Sequence, residues 1–293
     1  MKNSLLLCAA VLLPAAAAAE EDHSQALVKA TELTSSLYML EGAGGNMTAS
    51  LGPDGVLMVD DDFAPMADKL VAKLRALGGD SPRYIVNTHF HYDHTGGNEV
   101  FGGTATIIAA TAVRERLMQE QTLWRKQHPP VPAKALPTLT FDGSLTLYHN
   151  DDEVRILHLS HGHTDGDTVV FFTRGKVVSM GDLYFSGMYP IFHPEHEGGL
   201  KIFLGNVETV LRQTPSGAKI VPGHGPLSTR AELEKYRDMI VASIATVEAG
   251  IKSGHTQEEI RKAGLAPQWE PFSHGYRTTD QWLLSIYQDL SRR

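Results

Sequence analysis

The segment THFHYDHTGGN, at residues 88–98, most constrains what this chain can fold into. Three histidines and one aspartate occur there within six positions: His89, His91, Asp93 and His94. The apolar segment RYIVNT, residues 83–88, leads into them and is typical of a buried strand. Open α/β sheets carry their sites at the carboxyl ends of strands. The sequence therefore predicts an α/β fold, and these four side chains are candidates for metal binding.

Strands and helices alternate along the rest of the chain, as they do in α/β proteins. In the first half we expect strands at residues 33–40, 47–51, 55–60, 83–88 and 105–110. The helices expected there run from Pro65 to about Leu77 and from Thr111 to about Gln127. In the second half we expect a helix at about 199–213 and strands at 138–141, 145–149, 153–158, 168–173, 176–181 and within 218–226. Two strand-rich halves with helices outside predict a sheet-on-sheet core covered by helices.

Two further segments complete this organisation. HPPVPAKALP, residues 128–137, has four prolines in ten positions, so it predicts a long loop or the join between the halves. From Thr229 onward the sequence predicts helices, with N-caps at Ser228 or Thr229, at Thr256 and at Thr279. An apolar stripe in the last helix predicts packing on the rest of the domain: Trp282, Leu283, Ile286, Tyr287 and Leu290.

Size and charge limit the classes of function. The chain has 293 residues, of which 42% are hydrophobic, so it can bury the core of a large α/β domain. We expect one such domain from residue 20 to residue 293. The net charge is -8 and no long run of Lys or Arg occurs, which argues against a nucleic-acid partner. The sequence does not indicate an oligomeric state.

The first nineteen residues, MKNSLLLCAAVLLPAAAAA, have the pattern of a secretory signal. Lys2 is followed by an apolar stretch from Leu5 to Leu13, and small residues end at Ala19. The stretch is too short for a membrane span. We therefore expect cleavage near Ala19 and a periplasmic or secreted protein, with a retained amphipathic anchor as the alternative. The single cysteine, Cys8, would be lost with the signal, so nitrogen and oxygen must hold any metal in the mature chain.

Three later segments carry further metal-competent side chains beside glycine, each after a predicted strand. They are SHGHTDGD at 160–167 with His161 and His163, SMGDLYF at 179–185 with Asp182, and VPGHGP at 221–226 with His224. Loops that follow strands converge at one edge of such a core. Neutral imidazole and carboxylate are preferred ligands of Zn²⁺, and a second zinc ion about 3.5–4 Å away needs a bridging group.

In their order, HFHYDH, GHTDGD, MGDLY and VPGHG resemble the metallo-β-lactamase superfamily, over roughly residues 33–226. The resemblance implies a four-layered αββα sandwich with a binuclear zinc site at one edge. The ligands that it implies are His89, His91 and His163 for the first ion, Asp93, His94 and His224 for the second, and Asp182 bridging the two or joining the second. Asp60 matches an early aspartate of the family that orients the site. His161 is at most a supporting residue, and we do not expect four isolated histidines to be ligands: His23, His128, His149 and His255.

The resemblance also implies a zinc-dependent hydrolase with a small-molecule substrate. A hydroxide shared by the two zinc ions would attack the carbonyl carbon of a lactam, ester, lactone or thioester. Asp93 would have two roles, as a ligand of the second ion and as the acceptor of the hydroxide's proton.

The substrate stays open at this stage. Most three-histidine β-lactamases have Cys or Ser where this chain has Asp182, and the cysteine-bearing ones have a lysine where it has Phe185, so a dedicated β-lactamase is disfavoured. Export favours β-lactamase activity, because antibiotics reach the periplasm. Residues 42–65 resemble exported hydrolases of the same fold with undefined substrates. Seven aromatic side chains belong either to the core or to the mouth of the site, where they would suit an acyl or ring-containing substrate: Phe63, Phe90, Tyr92, Tyr184, Phe185, Tyr189 and Phe192.

Two other classes of function stay open. Imidazole and carboxylate also bind iron, so an iron-dependent redox enzyme similar to sulfur dioxygenases would have the same ligand pattern. A non-catalytic accessory protein stabilised by its metal is less consistent with Asp93 and Asp182, because a structural zinc site is normally closed by four ligands. His193 and His196 follow Asp182 in a loop that is expected either to be solvated or to overhang the site.

Overall fold

The computed structural model describes residues 23–123, 126–192 and 199–292. The expected signal segment with Cys8, and the loop residues His193 and His196, lie outside these residues. None of the helices in the described ranges combines the length with the apolar composition that a membrane crossing requires. These ranges contain two large sheets, one small hairpin and eight α-helices.

The first sheet has seven strands. They are β1 (Lys29–Glu32), β2 (Leu37–Glu41), β3 (Met47–Ser50), β4 (Val56–Val59), β5 (Pro82–Val86), β6 (Thr106–Ala110) and β9 (Leu139–Phe141), and they are neighbours in this order. Strands β1 to β4 pair antiparallel, whereas β4, β5, β6 and β9 pair parallel. Helix α1 (Ala67–Ala76) lies between β4 and β5 in the chain and provides the crossover that a parallel pair needs.

The second sheet has six strands. They are β10 (Ser144–His149), β11 (Asp152–His158), β12 (Thr168–Phe172), β13 (Val177–Ser179), β14 (Lys219–Val221) and β15 (Ser228–Thr229), again in this order. Only β13 and β14 pair parallel among these, and helix α5 (Leu200–Gln213) connects them. A separate hairpin consists of β7 (Gln121–Leu123) and β8 (Lys126–His128).

Alternation along the strands explains why the two sheets pack face to face. In β4, Leu57 and Val59 point to the second sheet, where Ile156 and Val170 belong to the same buried cluster. Val56 and Met58 of the same strand belong instead to the cluster that contains the apolar face of α1, including Leu70 and Leu74. Both faces of β4 are thus fully buried, one by the second sheet and one by a helix.

The outer face of the second sheet is covered by the C-terminal helices. These are α5, α6 (Arg230–Lys252), α7 (Gln257–Ala263) and α8 (Thr279–Leu290). Val169 and Phe171 of β12 share a buried cluster with these helices, which includes the fully buried Trp282, Leu283 and Ile286 of α8. The predicted packing of the last helix on the domain is confirmed. Helix, sheet, sheet and helices form the four layers of the expected αββα sandwich.

Capping explains where the C-terminal helices begin. Thr229, one of the two predicted candidates, and Thr256, as predicted, are N-caps. Each forms a capping box, with Glu232 and Glu259 respectively. The cap of α8 is Thr278 rather than the predicted Thr279, because its hydroxyl accepts the hydrogen bond from the backbone N–H of Gln281.

Three local expectations were wrong. The helix that begins at Thr111 (α4, Thr111–Leu117) ends ten residues earlier than predicted, because Leu117 is its last buried residue and its carbonyl accepts the N–H of Val131. The residues after it form β7 and β8. Strand β5 ends at Val86, so the histidine segment lies in a loop and in the short helix α2 (Tyr92–Thr95), followed by α3 (Asn98–Phe101). Strands β1 and β15 were not predicted.

Candidate metal centre

All seven candidate ligands lie together where strand ends of both sheets meet. The positions follow the strands that the sequence predicted. His89 and His91 are in the loop after β5, Asp93 and His94 in α2, His163 in the turn between β11 and β12, Asp182 in a 3-10 turn after β13, and His224 directly after β14. Each loop starts at the end of a buried strand, so the core fixes the direction from which each side chain approaches.

The first cluster contains three histidines and one aspartate. The potential donor atoms of His89, His91, His163 and Asp182 lie within 4.8 Å of one another. Nε2 of His163 lies 3.0 Å from Nδ1 of His91 and 3.2 Å from Oδ2 of Asp182. All four residues are buried. This arrangement can offer three imidazole nitrogens and one carboxylate oxygen to a single cation.

The second cluster contains Asp93, His94 and His224, whose donor atoms also lie within 4.8 Å of one another. Nε2 of His224 lies 3.2 Å from Oδ2 of Asp93 and 3.4 Å from Nε2 of His94. Asp93 and His94 are adjacent in α2, so one turn of helix supplies two of the three side chains.

Asp182 lies between the two clusters. Its Oδ2 faces the first cluster, at 3.2 Å from Nε2 of His163. Its Oδ1 faces the second, at 3.2 Å from Nε2 of His94 and 3.4 Å from Nε2 of His224. The sequence left open whether Asp182 bridges the clusters or joins the second. In the structure, one of its oxygens faces each cluster.

Asp60, at the end of β4, orients side chains of both clusters. Its Oδ2 lies 2.7 Å from Nδ1 of His94, and its two oxygens accept hydrogen bonds from the backbone N–H and the hydroxyl of Thr88. That hydroxyl also lies 3.1 Å from Nδ1 of His89. Asp60 has a φ of 62°, in the left-handed region, so the chain holds a strained backbone where the carboxylate is needed.

The loop that carries His163 is held by a second buried carboxylate, Asp167. Its oxygens accept hydrogen bonds from the N–H of His163, the N–H of Thr164 and the Thr164 hydroxyl. Burial raises the pKa of Asp167 to about 8. Nδ1 of His163 lies 2.8 Å from the carbonyl oxygen of Ile191, which fixes the ring from the other side.

The glycine-rich turn between β2 and β3 closes the site on one side. Asp62 accepts hydrogen bonds from the N–H groups of Ala43 and Gly44. A Cβ atom at Gly45 would lie only 2.1 Å from Cε1 of His94, so this position admits no side chain while the ring keeps its place. The side-chain amide of Asn46 connects this turn to the His224 loop, because it donates hydrogen bonds to the carbonyl oxygens of Pro222 and Gly225.

The polypeptide alone has strongly coupled charges in this centre. Burial and the neighbouring imidazole of His94 hold the pKa of His89 well below its usual range. Burial opposes the charged forms of His94 and His224, but nearby carboxylates outweigh it: the pKa of His94 lies well above its usual range, and Asp182 raises the pKa of His224 to about 9. Burial also opposes ionisation of Asp182, yet the three histidines around it lower its pKa well below the usual range.

The side chains fit divalent metal ions. Nε2 of His89 and Oδ1 of Asp93 are buried without a hydrogen-bond partner among the described residues. Buried polar atoms without partners are costly, and metal coordination is one way to compensate that cost. The donors are all nitrogen and carboxylate oxygen, which suit Zn²⁺ and also iron.

Few of the other residues considered from the sequence belong to the two metal-ligand clusters. His161, His23, His128, His149 and His255 belong to neither cluster in the described part of the chain. Five of the seven aromatic candidates are core residues and not part of a mouth: Phe90, Tyr184, Phe185, Tyr189 and Phe192. Phe63 and Tyr92 are only partly buried, and their rings contact each other at 5.6 Å.

Sequence reasoning missed one residue at the site. The hydroxyl of Tyr276 lies 3.1 Å from Nδ1 of His224. Tyr276 lies 52 positions after His224, between the 3-10 helix Pro267–His274 and α8. No motif or periodicity marks it, so only the folded arrangement of the C-terminal helices reveals its contact.

Comparison with known proteins identifies the family. The family model described as the metallo-beta-lactamase superfamily matches residues 46–239, which contain all seven candidate ligands. The chain belongs to this superfamily. A metallo-beta-lactamase type 2 from Elizabethkingia meningoseptica is 23% identical over 155 residues, which cover 53% of this chain and 58% of that protein. A hydroxyacylglutathione hydrolase from Pelagibacter ubique is 28% identical over 148 residues, 48% of this chain and 51% of that protein. The chain therefore spans little more than half the length of these curated relatives.

Solved structures of the superfamily share the fold. The inverting sec-alkylsulfatase Pisa1 from Pseudomonas sp. superimposes with a TM-score of 0.70 at 16% identity, over 89% of this chain and 50% of that one. A metallo-beta-lactamase from Pontibacter korlensis superimposes with a TM-score of 0.60 at 16% identity, over 73% of this chain and 98% of that one. The names of these proteins differ: metallo-beta-lactamase, hydroxyacylglutathione hydrolase and sec-alkylsulfatase.

Proposed function

We propose that this chain is a zinc-dependent hydrolase that holds two metal ions and cleaves an acyl bond of a small-molecule substrate. The observation that carries the proposal is the position of Asp182, whose two oxygens face two separate clusters of imidazole and carboxylate ligands. A structural site that is closed by four ligands does not require a carboxylate shared with a second cluster. Membership in a superfamily with hydrolase relatives supports the same class of reaction.

In this proposal His89, His91 and His163 would hold one ion, Asp93, His94 and His224 would hold the other, and Asp182 would be available to both. Two such ions, when bound, would polarise a carbonyl group and lower the pKa of a water molecule to near neutrality. The chain has no cysteine after residue 8, so the nucleophile in this proposal is a water molecule and not a cysteine thiolate.

Asp93 is the residue that we propose to move the proton. Its Oδ2 lies toward His224, whereas its Oδ1 is buried and accepts no hydrogen bond from the described residues. That second oxygen can therefore accept the proton of the attacking water while the first stays with the second cluster. The leaving group then takes a proton from the same carboxyl group.

The surroundings of His224 bear on the substrate. Phe185, where cysteine-bearing β-lactamases have a lysine, is buried and stacks on the His224 ring at 5.5 Å. This position therefore provides no cation for a substrate carboxylate. We propose that esters, lactones or thioesters are the main substrates and that β-lactam cleavage is a side activity.

Metal analysis and a substrate panel test the proposal. Protein purified without added metal should contain zinc, and titration should reach two zinc ions per chain. Iron at two ions per chain would instead support the redox alternative. The zinc-loaded protein should cleave at least one compound among a chromogenic cephalosporin, a nitrophenyl ester, a lactone and a thioester, and chelation should abolish that cleavage. Two bound zinc ions without cleavage of any of the four would contradict the acyl-hydrolase assignment.

We also propose that the protein acts outside the cytoplasm. The support is the pattern of the first nineteen residues, with one lysine, an apolar stretch and small residues before Glu20. Mass spectrometry of the protein recovered from the periplasm or medium of an expressing bacterium should find a chain that begins at Glu20. Full-length protein retained in the cytosol would contradict export.

A further inference from the structure

The ring of His224 is the most exposed among the five candidate histidine ligands. About an eighth of its side chain, 12%, is accessible, against 0% for His94 and 1% for His89 and His163. His224 is therefore the candidate ligand ring with the most contact to solvent, although most of its side chain is still buried.

In His94, His89 and His163, the ring nitrogen that points away from the metal cluster has a hydrogen-bond partner. Nδ1 of His94 lies 2.7 Å from Asp60, Nδ1 of His89 lies 3.1 Å from the hydroxyl of Thr88, and Nδ1 of His163 lies 2.8 Å from the carbonyl oxygen of Ile191. Such partners fix the tautomer and the orientation of a ring that binds metal. They all come from the chain segments that form the two sheets and their loops.

For His224 the corresponding partner is Tyr276. A ring that coordinates through Nε2 carries its proton on Nδ1, which can donate to the phenol oxygen 3.1 Å away. The two rings meet nearly edge to face, at 5.4 Å and 84°. Phe185 stacks on the His224 ring and also contacts the Tyr276 ring at 6.2 Å. Phe185 and Tyr276 together hold the His224 ring from its face and from its edge.

The segment that carries Tyr276 is itself attached to the loop after Asp182. The N–H of Tyr189 donates to the carbonyl oxygen of Phe272, and the Tyr189 hydroxyl donates to the carbonyl oxygen of Trp269, both at 3.0 Å. A Cβ atom at Gly275 would lie 2.3 Å from Cγ of Met188, so the backbone next to Tyr276 packs tightly against this loop. Tyr276 is therefore placed by packing, although 57% of its surface is exposed.

We propose that Tyr276 is a positioning residue for His224, and that through it the second cluster depends on the C-terminal part of the chain for metal binding. The inference rests on the metal centre proposed above. It assigns a role to a segment outside the matched family region, which ends at residue 239. It also predicts that a substitution more than 50 positions after the last candidate ligand, His224, changes one of the two zinc-binding steps.

Zinc titration of Tyr276→Phe tests the inference. The variant keeps the ring and removes the hydroxyl. Wild type, Tyr276→Phe and His224→Ala would be titrated with Zn²⁺ in competition with a chromogenic chelator, and the step lost in His224→Ala would identify the second cluster. We expect Tyr276→Phe to weaken that step by about 10- to 100-fold and to leave the other step close to wild type. Tyr148→Phe, which removes a hydroxyl from a tyrosine that is 76% exposed on β10, is the matched control.

Two additional measurements separate positioning from general damage. Cobalt(II) in place of zinc should give altered visible bands in Tyr276→Phe for the ion at the second cluster only. Tyr189→Phe, which removes the hydrogen bond to Trp269 but leaves Tyr276 intact, should weaken the same step to a smaller extent. Wild-type affinity of Tyr276→Phe at both steps would contradict the role of Tyr276, while a wild type that binds fewer than two zinc ions would contradict the proposed metal centre itself.

Discussion

Oδ2 of Asp60 lies 2.7 Å from Nδ1 of His94, and both side chains are almost completely buried. Asp60→Asn keeps the volume of the side chain and removes its charge. We expect it to weaken zinc binding at the second cluster by about 10- to 100-fold, because the neutral amide holds the His94 ring less firmly. Zinc competition titrations measure this, with Asp68→Asn on the exposed face of α1 as the control. Unchanged affinity in Asp60→Asn would show that the pair does not support metal binding.

Asp93→Asn separates the two roles assigned to this residue. The amide still offers an oxygen to the second cluster but cannot take up the proton of the attacking water. We expect kcat at saturating zinc to fall by about 10²- to 10⁴-fold, while the zinc content falls much less. Both quantities would be measured on the same preparation with the best substrate of the panel. If the loss of zinc accounts for the whole loss of rate, the proton-transfer role is wrong.

Zinc binding should become stronger as pH rises from 6.5 to about 9. In the polypeptide alone, Asp182 raises the pKa of His224 to about 9, so the folded chain retains a proton that coordination must remove. The stabilisation that this proton gives the metal-free fold is complete below the unfolded pKa of about 6.5 and is lost as pH rises through 9. Zinc dissociation constants at pH 6.5, 7.5 and 8.5 should therefore fall by up to about tenfold per pH unit for each proton released. A constant affinity over this range would contradict the prediction.

Gly45→Ala should damage the second cluster. The new Cβ atom would lie 2.1 Å from Cε1 and 2.4 Å from Nε2 of His94, so the ring or the glycine turn must move. We expect a loss of stability of about 1–3 kcal/mol and weaker binding of one zinc ion. Gly103→Ala is the matched control, because a Cβ atom there meets nothing within 4 Å. Thermal unfolding and zinc titration of both variants measure the difference, and equal behaviour would argue against tight packing at Gly45.

Phe185→Lys should not create a carboxylate-binding β-lactamase. Phe185 is fully buried against the His224 ring, so a lysine ammonium there would lose water without gaining a partner. We expect a lower melting temperature and no improvement in cephalosporin hydrolysis, whereas Phe185→Leu should retain more stability. Faster cephalosporin turnover in Phe185→Lys would show instead that the side chain reaches the substrate.

The sequence predicted most of the architecture because its signals are local. A continuous apolar segment such as Val56–Val59, and helix caps such as Thr229, can be recognised from a few neighbouring residues. The end of α4 at Leu117 was missed because a tertiary contact decides it, the hydrogen bond from Val131 in the proline-rich segment. The edge strands β1 and β15 were missed for a related reason: they are short, and pairing with a neighbour defines them more than composition does.

The site was predictable in part for a different reason. His89 and His94 belong to a dense motif, and His163 and His224 lie beside glycine at strand ends, so the residue types and their places identify them. The contacts that orient the histidine rings were harder to predict from the sequence. Asp60 was expected from the family resemblance, but the link from Asp60 through Thr88 to His89 depends on a left-handed backbone at Asp60 that no pattern reveals. The sequence left seven aromatic side chains open between the core and the mouth of the site, and burial assigns most of them to the core.

The two oxygens of Asp182 face different clusters, and this has a thermodynamic consequence for the proposed pair of metal ions. If such a carboxylate moves toward an ion at one cluster, the electrostatic field at the other cluster changes as well. In the proposed centre, binding at one position would therefore change the affinity of the other, and by linkage the effect would be equal in both directions. Loading and loss of the two proposed ions would be coupled equilibria, and Asp182 would contribute to the cooperativity of zinc uptake.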